Sequence, residues 1–339
     1  MSAVENTSSG QPKPARSNPV LRLFLRQEGI LLIIMVLAVL LLASQSDRFL
    51  TTDNLLNQGR FLVEVGLIAL PMTFIIITGG IDLSVGSIMG LSAIMLGYSW
   101  QNWGLPLEVA IVVCLLIGTL AGFINGVFIV RFGIPPLIMT LATLALYRGL
   151  AEGISQARSV RGYPEWFTQM GQGSFLGVPS QLWLLIIGII ICAVVLGYTV
   201  FGRSLYAIGN NEVGARFSGI AVGKYKLIIY TFSGFMAGLA AYIFVSRVTT
   251  TRSDMGAGIE LDAIAAVVLG GTSIFGGSGS ILGTVLGLVT IQLLKNGLSL
   301  TGVTGDSTVI VIGLVLIAAI VTNNGIQGLN AYLQRKSSM

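Results

Sequence analysis

The sequence predicts an all-α, polytopic membrane protein with about ten transmembrane helices, and three observations carry that expectation. Of the 339 residues, 54% are hydrophobic and only 10% are charged, whereas soluble domains are about a quarter charged. The mean hydropathy is +0.86, which makes lipid the solvent for most of the chain. Ten apolar runs lie near the ~20 residues that a helix needs to cross a hydrocarbon core about 30 Å thick.

In chain order, residues 1–28 read as a cytoplasmic amino-terminal tail, rich in Ser, Pro, Asn and Gln and carrying Lys13, Arg16, Arg22 and Arg26. This leader is long for a secretory signal peptide, so the apolar run that follows is taken as the first span. A transmembrane domain over 29–325 holds expected spans at 29–46, 61–79, 84–100, 106–130, 135–153, 182–200, 226–246, 261–276, 280–298 and 307–323, and residues 326–339 form a cytoplasmic tail. With both termini inside, eleven of the nineteen Lys and Arg fall on the cytoplasmic side. The net charge is then +7 inside against −2 outside, in the sense of the positive-inside rule, whose Lys and Arg bias is modest here. Two connections are long, 154–181 outside and 201–225 inside.

Composition also excludes chemistries. The chain has no histidine, which removes His-based zinc sites, His general bases and histidine proton relays. Cys114 and Cys192 sit in apolar runs without metal-ligand spacing and read as small buried hydrophobes; no metal site is expected. No GxxxxGK[ST] loop is present, so any ATP and Mg would be bound by a partner ATPase. The pI near 9.4 does not point to nucleic acid, because the basic residues are dispersed at segment ends with no interleaved aromatic stripe.

Two hydrophobic hairpins are interrupted. Residues 61–100 are forty residues, about 60 Å of helix at 1.5 Å each, barely two crossings. Their turn falls on Gly79-Gly80-Ile81-Asp82-Leu83-Ser84-Val85-Gly86-Ser87, with Pro71 upstream. Residues 261–300 repeat the design around Gly270-Gly271-Thr272-Ser273-Ile274-Phe275-Gly276-Gly277-Ser278-Gly279-Ser280. Paired Gly-broken segments mark helix breaks that line a cavity, since unwound backbone cannot face lipid; close helix packing or a tight turn would need the same glycines. Asp82 is the only charge between Glu64 and Glu108 and would cost about 2.5–3.5 kcal/mol at the bilayer centre. Its alternatives are a role on the path or, with Ser84, a cap on the next helix at the cytoplasmic interface.

The inner loop, Phe201 to Ile220, is amphipathic with charges of both signs. It reads as a helix-in-groove contact for another protein, with Phe217 and Ile220 as anchors and Glu212 and Arg216 setting register. The alternative is a short helix lying on anionic headgroups.

Three ordered motifs, GGIDLSVGS at 79–87, AIGNNEVGARFSGI at 207–220 and AVVLGGTSIFGGSGSILGT at 266–284, together resemble the permease subunits of bacterial ribose-type ABC sugar importers, over nearly all of 29–325. The stretch Thr250-Thr251-Arg252-Ser253-Asp254-Met255-Gly256 is as similar to rhamnose-type or autoinducer-2-type members. The resemblance implies the ABC importer permease fold in the bacterial inner membrane. It implies two permeases, identical or different, two ABC ATPases that bind ATP and Mg, and a periplasmic sugar-binding protein that sets most of the specificity. The permease itself would not be an enzyme. It also implies that the inner loop docks on the ATPase, which makes Arg203, Asn210, Asn211, Glu212, Arg216, Phe217, Ser218 and Gly219 the coupling candidates. Family members carry two alanines before the arginine, where this chain has Gly214-Ala215, a departure at the start of the docking helix.

For the translocation path the candidates are Gly79, Gly80, Asp82, Ser84, Ser87, Asn125, Gly270, Gly271, Thr272 and Ser273, with Thr140 and Thr143 as further hydroxyls, because sugar hydroxyls need uncharged hydrogen-bonding partners. Hydroxyls in spans also bond their own helix. On the outer face Arg158, Arg161, Arg252, Asp254 and Glu260 are the candidates for salt bridges to the binding protein, alongside Arg247. The competing classes are a secondary transporter or channel for a small polar solute, which would take up solute without ATP, and a membrane enzyme acting on lipid-linked sugars, which would need a carboxylate cluster that the sequence lacks.

Overall fold

A computed structural model describes residues 27–303 and, beyond them, residues 305, 307, 310, 311, 313, 314 and 317. The expected tails and most of the tenth expected span, 307–323, lie outside the described residues. Twelve helices are described: α1 (Gln27–Gln45), α2 (Thr52–Ile77), α3 (Val85–Gln101), α4 (Leu107–Arg131), α5 (Pro136–Ser155), α6 (Glu165–Gln172), α7 (Ser180–Tyr198), α8 (Val200–Asn210), α9 (Glu212–Phe217), α10 (Val222–Val248), α11 (Ile259–Leu269) and α12 (Ile281–Leu300). Two short antiparallel pairs complete the described structure, β1 (Val160–Arg161) with β4 (Thr250–Thr251) and β2 (Ser174–Phe175) with β3 (Val178–Pro179).

The expected ten spans are not reproduced as a count. Six of the described helices, α2, α4, α5, α7, α10 and α12, are long and apolar enough to cross a membrane. The clearest departure is the expected span 261–276, where α11 holds only 11 residues, about 16 Å of helix, half of a hydrocarbon core. The cause is local: Gly256 and Gly258 before it and Gly271 after it all adopt positive φ, at 74°, 83° and 94°, which lies outside the right-handed helical region.

The core is built on α2 and α10. From Gly66 to Ile77 every residue of α2 is buried, with the helix running through Pro71. α10 packs on α4 through glycines. A Cβ on Gly118 would lie 2.5 Å from the Gly234 carbonyl oxygen, and one on Gly122 would overlap the Tyr230 carbonyl, so the two backbones approach as closely as small residues allow. Helices in lipid gain little from burying apolar surface against one another, so this close van der Waals packing replaces the hydrophobic effect as the cohesive force.

One end of the bundle carries α8, α9, the break at 78–84 and the loop 270–280. The opposite end carries α6 and the β pairs, so the expected long connection 154–181 is an ordered cap. There Trp100, Tyr163 and Phe167 stack in series with centroids 4.8 Å apart at each step, and Tyr242 meets Phe167 edge-on.

Candidate translocation and coupling site

At the α9 end the three glycine-bearing motifs meet at one point. The last carbonyl of α2, on Ile77, accepts a hydrogen bond from the Gly277 backbone N–H at 2.9 Å. Gly209, near the end of α8, is pressed against both: a Cβ there would overlap the Ile77 carbonyl oxygen and lie 2.5 Å from the Gly277 nitrogen. One residue on, Asn210 carries a side-chain oxygen that a Cβ on Gly277 would meet at 2.7 Å. Tyr206, on the same helix, donates to the Gly279 carbonyl at 2.8 Å. The end of α8 therefore touches the end of α2 and the loop between α11 and α12 at the same time, and no side chain fits at position 209.

α9 follows directly. Asn211 accepts a hydrogen bond from the Gly214 N–H at 2.8 Å and so caps the helix, which places a cap residue where the sequence shows its Asn-Asn pair. Glu212 in the first turn pairs with Lys226 at 2.7 Å and Arg216 at 3.3 Å, the first tying α9 to the start of α10. Phe217 is 89% exposed, and Val213 beside it is also exposed, while Ala215 and Ile220 face inward onto Ile208 and Val222. Of the two expected anchors, Phe217 projects outward and Ile220 packs inside. Arg216 lies on this short helix with Asn210 and Ser218 flanking it, whereas Arg203 lies in the first turn of α8, and Gly219 leaves α9 with φ 84°.

Asp82 lies in the break between α2 and α3, fully buried. The Ser84 hydroxyl makes no cap bond to α3. Instead the Ser84 hydroxyl and N–H donate to one Asp82 oxygen at 2.6 Å and 3.0 Å, and the Ser233 hydroxyl of α10 donates to the other at 3.0 Å. The Asn125 amide of α4 donates to Ser84 Oγ at 2.8 Å, and the Tyr147 hydroxyl of α5 donates to Asn125 Oδ1 at 3.3 Å. A single carboxyl group thus organises four helices through satisfied hydrogen bonds, which is how a polar group is tolerated in a low-dielectric interior. The Tyr230 hydroxyl, close enough to Gly80 that a Cβ there would lie 2.6 Å away, is buried with no hydrogen-bond partner among the described residues.

Of the other expected path residues, Gly80, Ser87, Thr140, Thr143, Gly270 and Thr272 are buried, Gly271 and Ser273 are half-buried, and Gly79 is exposed. The hydroxyls of Ser87, Thr140 and Thr143 bond backbone carbonyls of Ser84, Pro136 and Met139, the local back-bonding that hydroxyls in helices favour. Gly79 leaves α2 with φ 78°. In the second break, Gly270 abuts Gly283 of α12, Ser273 N–H bonds the Ser278 carbonyl at 3.0 Å, and the Thr272 hydroxyl is buried with no hydrogen-bond partner among the described residues.

At the opposite end, residues 252–258 run unwound along α3. Arg148 of α5 holds them: one guanidinium nitrogen donates to the Ser253 carbonyl and, at 3.0 Å, to that of Met255, and the other reaches Gly86 O at 3.3 Å. Glu260 also turns inward, with a side-chain oxygen over Gly86 and another accepting from the Gly258 N–H at 3.2 Å. It is therefore not among the residues displayed on the outer rim. Arg252 and Asp254 are exposed and pair with each other, Arg252 Nε to Asp254 Oδ1 at 2.9 Å. Arg161 lies on β1, and Arg158 lines a small pocket of about 200 Å³ beside Tyr98 and Ser155. The sequence reading missed Arg148 as a site residue. Its signal is a lone cation two turns inside a helix end, which resembles any interfacial arginine.

Between this unwound segment and helices α2, α10, α11 and α12 opens a cleft of about 530 Å³. Its wall carries the pair of Glu64 with Arg247 at 2.7 Å and that of Asp262 with Lys295 at 2.6 Å. The Arg247 guanidinium lies 4.7 Å and 5.0 Å from the ring centres of Phe61 and Phe244.

The chain matches, over residues 54–320, the family described as branched-chain amino acid transport system / permease component. It is 37% identical over 300 residues to an autoinducer 2 import system permease protein of Photorhabdus luminescens, covering 87% of this chain and 90% of that one. It is 36% identical over 307 residues to a ribose import permease protein of Haemophilus influenzae (89% and 94% covered). To a ribose import permease protein of Bacillus subtilis it is 39% identical over 294 residues (86% and 89%). No solved structure gives a significant match.

Proposed function

The chain belongs to this family of membrane permease components, and we propose that it forms the translocation path of an ATP-driven importer for a neutral monosaccharide or a related small polyol, with α9 as the contact for a separate ATPase. The observation that carries the reading is the junction at Gly209, Ile77 and Gly277. A short capped helix with an exposed aromatic is joined through it to both interrupted hydrophobic hairpins. The ribose and autoinducer 2 permeases among its relatives support the substrate class.

The mechanism follows from that geometry. Nucleotide-driven closure of an ATPase dimer pulls α9, which is stiffened by its Asn211 cap and its Glu212–Lys226 pair. Because side-chain-free contacts leave no slack, the ends of α2 and the 270–280 loop follow, and the half-length helix α11 moves with α12, against which Gly270 and Ala266 are packed. The path opens between this subunit and a second permease, with α9 and both termini on the cytoplasmic side. At the other face Arg158, Arg161, Arg252 and Asp254 are available to steer a sugar-binding protein. Glu260, turned onto Gly86, supports the fold of the unwound segment instead.

The test is uptake by proteoliposomes holding this chain together with an ABC ATPase and a sugar-binding protein. ATP-dependent entry of a monosaccharide is expected. Entry without ATP would instead favour a secondary transporter, and ATP-dependent entry of leucine alone would favour an amino acid importer.

A further inference from the structure

We infer that the cleft walled by Glu64, Arg247, Asp262 and Lys295 is a binding site on this subunit for a neutral, polyhydroxylated solute, a stopping point at the end of the molecule opposite α9. The inference rests on the importer reading above and assigns residues to it.

Size comes first: about 530 Å³ falls within the range of small-molecule sites, roughly 300–1,000 Å³. Charge decides what such a space selects. Glu64 pairs with Arg247 and Asp262 with Lys295, so the wall has no uncompensated charge to hold an ion. Pairing does not exhaust the hydrogen-bonding capacity of these groups. A guanidinium has five N–H donors, an ammonium three, and each carboxylate about four acceptor positions, so one short bond per pair leaves donors and acceptors side by side. Sugar hydroxyls are donors and acceptors at once and can bridge such a pair, whereas a lone cation or anion would be repelled by one partner of it.

The site is also held in place. Glu64 is only 3% exposed and Arg247 17%, and Phe61 and Phe244 lie close to the guanidinium, restricting its rotation. Gln292, which donates to Gln58 at 2.7 Å, lines the same wall. Fixed donors and acceptors of this kind lose little freedom when a ligand binds. The floor is the unwound segment held by Arg148, so occupancy of the cleft is mechanically connected to the same half-length helix that the α9 junction moves.

The test uses the full chain in nanodiscs with Ala257→Cys, an exposed position lining the cleft; the two native cysteines are buried. Maleimide labelling is timed with D-ribose, L-rhamnose or D-xylose, and with leucine and gluconate as a zwitterion and an anion of similar size. With a dissociation constant near 1 mM and about 10 mM sugar, labelling should slow roughly tenfold. The same sugars should leave Asn102→Cys, outside the cleft, unaffected. Adding Lys295→Met to Ala257→Cys should abolish protection without changing the unprotected rate. Protection by leucine or gluconate equal to that by the sugars overturns the inference. So does absence of sugar protection while the reconstituted importer still takes up these sugars, and in that case the importer reading stands. If no sugar is taken up at all, both fall.

Discussion

Gly209→Ala should uncouple the protein. The added methyl would overlap the Ile77 carbonyl oxygen and sit 2.5 Å from the Gly277 nitrogen, whereas ordinary contact begins at 3.4 Å. α8 must therefore move away from the end of α2, by more than the roughly 0.9 Å that the Gly277 contact alone requires, or the ends of α2 and the 270–280 loop must part, which lengthens the 2.9 Å hydrogen bond from Gly277 to Ile77. Overpacking of this kind costs about 1–3 kcal/mol, and a lost backbone hydrogen bond adds about 0.5–1.5 kcal/mol. A penalty of that size in the packed state shifts the balance between joined and separated ends by about ten- to a thousandfold. The assay is ATP hydrolysis and sugar uptake by the same proteoliposomes. Hydrolysis should persist while uptake per ATP falls at least about tenfold, and Gly149→Ala, where a Cβ meets nothing within 4 Å, should leave both intact. Unchanged uptake per ATP in Gly209→Ala would refute the idea that this contact carries the motion.

Three further outcomes follow from single contacts. Arg148→Ala removes the charge-assisted bonds that hold residues 253–255, each worth about 1.5–3 kcal/mol. It should lower the melting temperature in detergent and expose the 252–258 segment to protease, and Arg148→Lys should not rescue it because an ammonium lacks the guanidinium fork. Glu64→Gln leaves Arg247 without its carboxylate partner, a change that costs about 3–5 kcal/mol in a buried pair; thermal unfolding should show that loss, and Glu64→Gln combined with Arg247→Met should recover part of it. Phe217→Ala removes a side chain that is 89% exposed, so the isolated chain should melt as before while its affinity for the ATPase, read by co-purification at graded dilution, drops about tenfold or more, the loss of a ~1.4 kcal/mol or larger anchor.

The Gly79-Gly80 and Gly270–Gly279 runs were legible because glycines clustered in apolar sequence have few purposes other than a break or a close approach. The α9 loop was legible from its mixture of exposed charge and periodic apolar residues. What the sequence could not convey was that these three places touch, since Gly209 looks like any other glycine in a loop until Ile77 and Gly277 are brought against it. Asp82 stood out as a lone charge, but the groups linked to it, Ser233 directly and Asn125 and Tyr147 in turn through Ser84, come from three different helices. The run 261–276 read as a span because hydropathy counts side chains, while the break there is set by backbone at Gly256 and Gly258 and by an arginine a hundred residues away. The small-residue seam of Gly118 and Gly122 against Gly234 and Gly238 was visible as four-residue spacing in two apolar runs and went unused.

Rigid transmission from α9 to the broken helices is tested most directly by distances between spin labels, in the full assembly with and without ATP. Labels at Val213 on α9 and at Phe275, the 91% exposed tip of the 270–280 loop, should keep one separation in both states, because α9 and the loop move as a single body. The separation from Val213 to Trp103 at the other end should change. A nucleotide-dependent change between Val213 and Phe275 would contradict the junction as the route by which ATP moves this permease.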